Sequence, residues 1–303
     1  MYFPENFTKR YCPLADDGGA FLAALERPLP KSFRVNSLKA DSGEVAERFA
    51  GYGIQVRGME WYPDAFVSDS PDIGATLEHF LGAIYMQELV SMLPPLLIRE
   101  ELEGARLVLD GCAAPGSKTT QLAALMGNKG TIIANDVSYA RTKALKFNLE
   151  KNGVLNAVIT NRDLRFFPDM QFDAALLDAP CSAEGTIRKN AELPSGWSER
   201  EIAKHSKMQK KLITKAYDLL RPGGAMVYST CTFAPEENEC VLGSFLQERP
   251  DASLESFSFP GFRTAPALES WEGVAFDSRI KNAARVWPHH NDTGGFFLAK
   301  VRK

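Results

Sequence analysis

The sequence predicts a doubly wound α/β fold, and three observations carry that expectation. From about residue 105 onward, short apolar runs alternate with amphipathic stretches and small-residue turns. Those runs are hydrophobic throughout, as in Leu107-Val-Leu and Ala174-Ala-Leu-Leu, which marks strands of a parallel sheet covered on both faces. The composition, 303 residues with 45% hydrophobic and 24% charged, is that of a globular chain long enough for one large domain and a smaller one. It excludes a disordered tail, a small stapled scaffold and a collagen-like fibre.

In chain order, residues 32–40 read as a strand, 42–51 as a short helix ended by Gly51 and Gly53, and 54–57 as another strand. Residues 1–82 are therefore expected to form a small N-terminal α+β domain. A helix over 85–93, stopped by Pro94-Pro95, leads into a second domain, 83–303. Its strands are expected at 106–110, 131–136, 157–161, 172–178 and 225–230. Its helices are expected at 117–127, 138–152, 199–220 and 236–248. The last strand, 295–301, is expected to return antiparallel at the sheet edge.

Charge and cysteine use bound the function. Thirty-five basic against 38 acidic residues give a net charge of −3, so any nucleic-acid binding must come from a local patch. The five cysteines (Cys12, Cys112, Cys181, Cys231, Cys240) are odd in number and widely spread, with no Cys-x-x-Cys pair. Neither a disulfide framework nor a zinc site is expected, and no metal. His289-His290 near Asp292 read as loop residues, because two adjacent imidazoles do not readily converge on one ion. The N-terminus has no basic leader or apolar run, and the longest apolar stretch, 89–98, is broken by prolines. A cytoplasmic protein without membrane association is expected.

Doubly wound sheets bind ligands beyond the carboxyl ends of their strands. The first such strand ends at Asp110 and runs into a small-residue turn, Gly111-Cys112-Ala113-Ala114-Pro115-Gly116-Ser117-Lys118-Thr119. The next ends in Asn135-Asp136, suited to ribose hydroxyls. A phosphate loop needs lysine directly after its second glycine; here Ser117 intervenes, and Lys118 is turned by about 100° on a helix. A dinucleotide fingerprint lacks its middle glycines. S-adenosylmethionine, with a ribose and a sulfonium but no phosphate, suits the acidic residues best. A phosphate ligand and a merely structural turn remain alternatives.

Asp178-Ala-Pro-Cys181-Ser ends one strand and Ser229-Thr-Cys231-Thr another. Two thiols at neighbouring strand ends beside a carboxylate point to covalent chemistry, whereas Cys12, Cys112 and Cys240 read as small buried hydrophobes. A thiolate adding to carbon 6 of a pyrimidine makes carbon 5 able to accept a methyl group. An acid at ring nitrogen 3, the role of Asp178 in a protonated or proton-sharing form, eases the addition. One cysteine attacks; the other helps release.

These residues resemble the Nop/Sun family of RNA cytosine-5 methyltransferases, of archaeal or bacterial type. The match runs through Arg34-Val-Asn36, Asp110 to Thr119, Asp136, Asp163, Asp178 to Ser182, Ser229 to Thr232 with Glu237-Asn238-Glu239, and Arg285 to Phe297. The resemblance implies a Rossmann-like S-adenosylmethionine-dependent methyltransferase domain with a small N-terminal α+β domain. It implies Cys231 as nucleophile, Cys181 promoting breakdown of the adduct, Asp178 contacting the cytosine and Lys118 near the target base. Cys112, Ala113, Ala114, Pro115, Gly116, Ser117, Lys118, Asp136, Arg141, Asp163 and Asp178 would hold the cofactor. The chain departs from the family's usual glycine at Ser117 and at Ala183.

The RNA is expected on a basic track. In 199–220, Ile202, Gln209, Leu212, Ile213, Ala216 and Leu220 share one helix face, and Arg200, Lys204, Lys207, Lys211 and Lys215 the opposite one. Arg188-Lys189 precede this helix, and Arg34 and Asn36, with Lys31 and Lys39, lie on and beside the first strand. Together they suit a phosphate track to a base splayed out of its stack. Transfer RNA is favoured over ribosomal RNA by family analogy. Two other classes compete: a catalytically silent RNA-binding factor on the same fold, and a P-loop NTPase.

Overall fold

In the computed structural model, which describes residues 3–190 and 192–303, the chain divides into two compact units. One is built from Met1–Leu29, Ala179–Thr214 and Tyr228–Arg302, the other from Pro30–Asp178, Lys215–Val227 and Lys303. The first unit opens with α1 (Glu5–Tyr11) and α2 (Gly18–Glu26). Their faces bury Phe7, Tyr11, Phe21 and Leu25 against Ile187, Phe233 and Trp287.

The second unit begins with a four-stranded antiparallel sheet around β1 (Lys31–Val35). The expected strand to residue 40 stops at Asn36, whose Nδ2 donates to the carbonyls of Gly82 and Asn152 while its Oδ1 accepts from Leu38 N. That side chain takes over the bonds a continuing strand would have needed. Helix α3 (Ser42–Gly51) forms where expected, capped by Asp41, whose Oδ1 accepts from Gly43 N and Glu44 N. Strands β2 (Val56–Met59) and β3 (Tyr62–Ser68), helix α4 (Leu77–Phe80) and β4 (Ile84–Met86) complete the order β2-β3-β1-β4.

The helix expected over 85–93 is corrected. Tyr85 and Met86 pair with β1, opposite Arg34 and Phe33, and a single 3₁₀ turn at Leu89–Met92 leads into α5 (Leu93–Leu97). Pro94 and Pro95 lie in the first turn of α5, where a missing amide hydrogen leaves nothing unbonded, so they begin a helix instead of stopping one. Helix α6 (Arg99–Leu102) follows.

Next come β5 (Leu107–Asp110), α7 (Ser117–Leu125), β6 (Thr131–Asn135), α8 (Tyr139–Lys151), β7 (Ala157–Thr160) and β8 (Phe172–Asp178), each within a residue or two of its expected place. Helix α9 (Glu199–Asp218) precedes the long β9 (Leu220–Thr230). Strand order is β9-β8-β5-β6-β7, with β5 parallel to both β6 and β8. The order in which the strands are connected reverses between β5 and β8, which makes this the topological switch point of the sheet. Val108, Leu109, Ile132, Ala134 and Leu176 are buried, as expected for strands covered on both faces.

The rest of the first unit holds α10 (Glu239–Glu248), β10 (Ser253–Glu255), β11 (Ala265–Pro266), a hairpin of β12 (Ser270–Trp271) and β13 (Val274–Ala275), β14 (Ala284–Val286), α11 (Pro288–Asn291) and β15 (Phe296–Arg302). Strand β15 pairs antiparallel with β14 and β10, and β11 lies beyond β14 at the edge. The edge position expected for the last strand is therefore wrong. Phe296 to Val301 are buried without a break, which an edge strand with one open side does not sustain. Helix α10 starts three residues later than expected, because Asn238 is held in the preceding turn by Thr230 Oγ1 and the carbonyl of Thr232. No helix among the described residues is long and apolar enough to cross a membrane.

Candidate active site

The turn after β5 is shaped by Gly116, whose φ of +108° caps α7 and whose absent Cβ would sit 2.9 Å from Leu145 Cδ1. Ser117 and Lys118 open that helix, and Ala113 and Ala114 are buried. Ala114 N donates to Asp136 Oδ2 at 3.2 Å, and Ser138 N to Asp136 Oδ1 at 2.9 Å. Arg141, itself exposed, pairs with Asp136 and also donates to the carbonyl of Ala114. Cys112 is half-buried, Pro115 exposed, and Asp163 half-buried in an ion pair with Arg165. Asn135 is corrected: its amide ties the carbonyls of Gly111 and Arg162 together and is not presented to a ribose.

The electrostatics select among ligands. Asp110 accepts from Thr119 Oγ1 at 2.7 Å through Oδ2, while its Oδ1 is buried with no partner. Burial pushes its carboxyl up to about 7. Burial, followed by the charges of Asp110, Asp136 and Asp178, pushes the Cys112 thiol far above its ordinary range. A phosphate would meet these carboxylates unfavourably, whereas the hydroxyls and positive charges of S-adenosylmethionine complement them. Lys118 does not face the turn as a phosphate-loop lysine would. It is buried, with Nζ 2.6 Å from Asp178 Oδ2 and 3.0 Å from Ser91 Oγ. Asp178 is thus ion-paired with Lys118.

The two thiols lie together in the other unit. Ala179 N donates to the carbonyl of Ser229, joining the segments after β8 and at the end of β9, and Cys181 Sγ is 3.1 Å from Cys231 Sγ. Both cysteines are free and half-buried. The contact with Cys231, then burial, holds the Cys181 thiol well above its ordinary range. Either thiol of this pair can donate to the other. Beside them are two buried carboxylates, Glu184, which the sequence reading missed, and Glu237, to which it gave no role. The signal that finds them is position: each lies a few residues after one of the cysteines.

The expected RNA track divides. Lys204, Lys207 and Lys211 are exposed on α9, with Lys204 paired to Glu201, while Lys215 is half-buried against Asp169. The face opposite, Ile202 to Leu220, is buried as expected. Three other candidates are corrected because they are buried and committed. Arg34, 0% exposed, donates to Gln87 Oε1 and to Thr120 Oγ1 on α7. Asn36 holds the carbonyls of Gly82 and Asn152. Arg188 holds the carbonyls of Arg27, Pro28 and Thr293 and the carboxylate of Asp292.

The premise about His289 and His290 is corrected too. They sit in α11, not in a loop, and their Nε2 atoms do converge, at 2.8 and 2.9 Å from Asp16 Oδ1. Arg263 takes the other oxygen of Asp16 at 2.6 Å. Both Nδ1 atoms are buried without a partner. A proton there would find no acceptor, so the tautomer that donates from Nε2 to Asp16 fits this cluster.

A switch-point turn lined by carboxylates, on a parallel sheet, defines an S-adenosylmethionine-dependent methyltransferase. Residues 97–302 match the family described as 16S rRNA methyltransferase RsmB/F, and residues 3–89 the N-terminal domain of 16S rRNA methyltransferase RsmF. The chain belongs to this RsmB/F, or Nop/Sun, family. It is 41% identical to a tRNA (cytosine(49)-C(5))-methyltransferase of Pyrococcus abyssi, over all of this chain and 99% of that one. It is 39% identical to the ribosomal RNA small subunit methyltransferase F of Vibrio atlanticus, over all of this chain but only 64% of that one. A methyltransferase homolog protein from Pyrococcus horikoshii superposes with a TM-score of 0.87 at 35% identity, covering 99% of this chain and 95% of that one.

Proposed function

We propose that the protein methylates carbon 5 of a cytosine in RNA through a covalent adduct at carbon 6, with Cys231 as nucleophile. The observation that carries the reading is the 3.1 Å sulfur contact between Cys181 and Cys231 at adjoining chain segments. In this proposal Cys231 Sγ bonds to carbon 6 and the displaced electron pair gathers at carbon 5. The Asp178–Lys118 pair hydrogen-bonds the cytosine and steadies the charge that develops on its ring. S-adenosylmethionine, when bound, supplies an electrophilic methyl group. Carbon 5 takes the methyl group, its proton then passes to water as the carbon–sulfur bond breaks and the ring double bond is restored, and Cys181 gives its proton to the departing sulfur. Cys112 to Lys118, Asp136, Arg141, Asp163 and Asp178 hold the cofactor.

Lys204, Lys207 and Lys211 guide the RNA phosphates in this proposal, and residues 1–82 form a small domain that helps steer the strand toward the methyltransferase domain, 83–303. Transfer RNA is the favoured substrate, supported by a tRNA relative matched over its whole length. The P-loop alternative is disfavoured by the engagement of Lys118 with Asp178. A silent RNA-binding factor remains the contrasting reading, and one pair of variants separates the two. Cys231→Ser abolishes transfer of a labelled methyl group to RNA, whereas Cys181→Ala accumulates a protein–RNA adduct that survives denaturing gels. Normal methylation by the Cys231 variant overturns the assignment; no methylation by the wild type favours the silent factor.

A further inference from the structure

Glu184 and Glu237 lie close together, 2% and 0% exposed, and neither has an ion pair among the described residues. Ser182 Oγ touches both: it is 2.6 Å from Glu184 Oε2 and in close contact with Glu237 Oε1, and it lies 3.0 Å from Thr232 Oγ1. Thr232 Oγ1 in turn meets Glu184 Oε2. These are four oxygen–oxygen contacts, but the two hydroxyls supply only one proton each. With both carboxylates ionised, at least two of the four contacts would be bare oxygen against oxygen in a buried place. A proton on one carboxyl leaves a single bare contact, which can be the longest of the four, Ser182 Oγ to Thr232 Oγ1 at 3.0 Å. Ser182 directly follows Cys181 and Thr232 directly follows Cys231.

We infer that Glu237 is a neutral carboxylic acid donating to Ser182, which donates to Glu184, and that this chain is a clamp fixing the two cysteine turns against each other. Glu237 and Glu184 are thus positioning residues for the reaction proposed above, on which the inference rests. Glu184 carries the negative charge and is met by the right donors: Tyr11 OH at 3.0 Å, Trp197 Nε1 at 3.1 Å and Thr232. Glu237 keeps its proton while its second oxygen accepts from Gln209 Nε2 at 2.7 Å and from Ser182 N. Glu184 also lies in the turn whose Gly185 N bonds the carbonyl of Cys231, at 2.8 Å. Burial, reinforced by the charge of Glu184, pushes Glu237 up to about 8, in keeping with this count.

Three other titratable groups face the pair with shifted ranges of their own. Tyr11 on α1 is pushed far up by burial, His205 on α9 is pushed down by burial and is neutral, and Cys181 is held well above its ordinary range. Ionising Glu237 therefore sets two carboxylates side by side and opens the clamp. For the sign of the effect on folding, a carboxyl raised in the folded protein contributes stability below its unfolded value that is lost as pH rises through the folded one.

The test uses the full chain and has readouts other than methyl transfer. Infrared difference spectra of wild type against E237Q, without RNA or cofactor, show a protonated-carboxyl band at neutral pH that disappears as pH passes 8. The urea midpoint of the wild type falls between about pH 5 and about pH 9 by more than that of E237Q, which keeps only the part due to Asp110. E237Q, whose amide can still donate to Ser182, keeps turnover within roughly threefold, and E237A loses roughly tenfold or more. Iodoacetamide labelling of Cys181 and Cys231 rises more steeply above pH 8 in the wild type than in E237Q, where ionisation of the thiols alone contributes. Absence of the band, or an E237Q loss equal to that of E237A, overturns the clamp. A wild type that shows the band but methylates no cytosine leaves the clamp standing and overturns the function proposed above.

Discussion

Arg285 and Arg34 are both strand arginines closed off from solvent, one in each unit, and they are satisfied differently. Arg285 reaches both oxygens of Glu239, at 2.6 and 2.5 Å, and the carbonyl of Phe233 at 2.9 Å. Arg34 hydrogen-bonds only neutral oxygens, those of Gln87 and Thr120, and burial lowers its pKa from the ordinary value. The same contrast separates Glu239, whose Oε1 also accepts from Leu268 N, from Asp110, whose Oδ1 accepts from nothing. The Arg285–Glu239 pair is closed internally, while Asp110 keeps an acceptor open at the turn after β5. An open buried acceptor marks where a ligand's donor can add.

The largest effect expected from this contrast is on stability. Arg285→Ala strands the Glu239 carboxylate and lowers the unfolding free energy by about 3–5 kcal/mol, whereas Arg34→Met, which strands only neutral groups, costs about 1–3 kcal/mol. Urea denaturation of both variants checks the order, and equal losses would break the contrast. Next, Asp110→Asn removes the open acceptor's charge. It weakens S-adenosylhomocysteine binding by about 10- to 100-fold in calorimetric titration, with no loss of stability in the free protein. An unchanged affinity would show that Asp110 is not where the cofactor's donors add. The smallest effect is expected at Ala183, whose φ of +66° is in the left-handed region. Ala183→Gly relieves that conformation and raises stability by about 0.5–1 kcal/mol, seen as a small rise in the urea midpoint.

How much of this could be read from residues alone depended on whether the signal was local. The strands from β5 to β8, and the part of β9 from Ala225 on, announce themselves because each holds an apolar run near turn residues, whereas Leu220–Gly224 of β9 carries no such signal. The cysteines announce themselves because both end such runs. Arg34, Asn36 and Arg188 misled, since a basic or amide side chain in sequence does not declare whether its partner is a phosphate or a distant carbonyl. One local hint existed: Arg34 sits between Phe33 and Val35 in a strand buried from Ser32 onward. Glu184 and Glu237 are 53 positions apart, and nothing in the chain declares that they share Ser182. The 85–93 segment failed because tertiary pairing with β1 outweighed its helical pattern.

The bonds that Arg34 and Asn36 make have a practical consequence for anyone recombining relatives of this protein. Gln87 Nε2 also donates to Gln121 Oε1, so the leading sheet is stitched to α7 through Thr120 and Gln121 and to the end of α8 through Asn152. A chimera that exchanges the segment up to Gln87 must transplant those three recipients with it. Otherwise it inherits a wet seam directly behind α7.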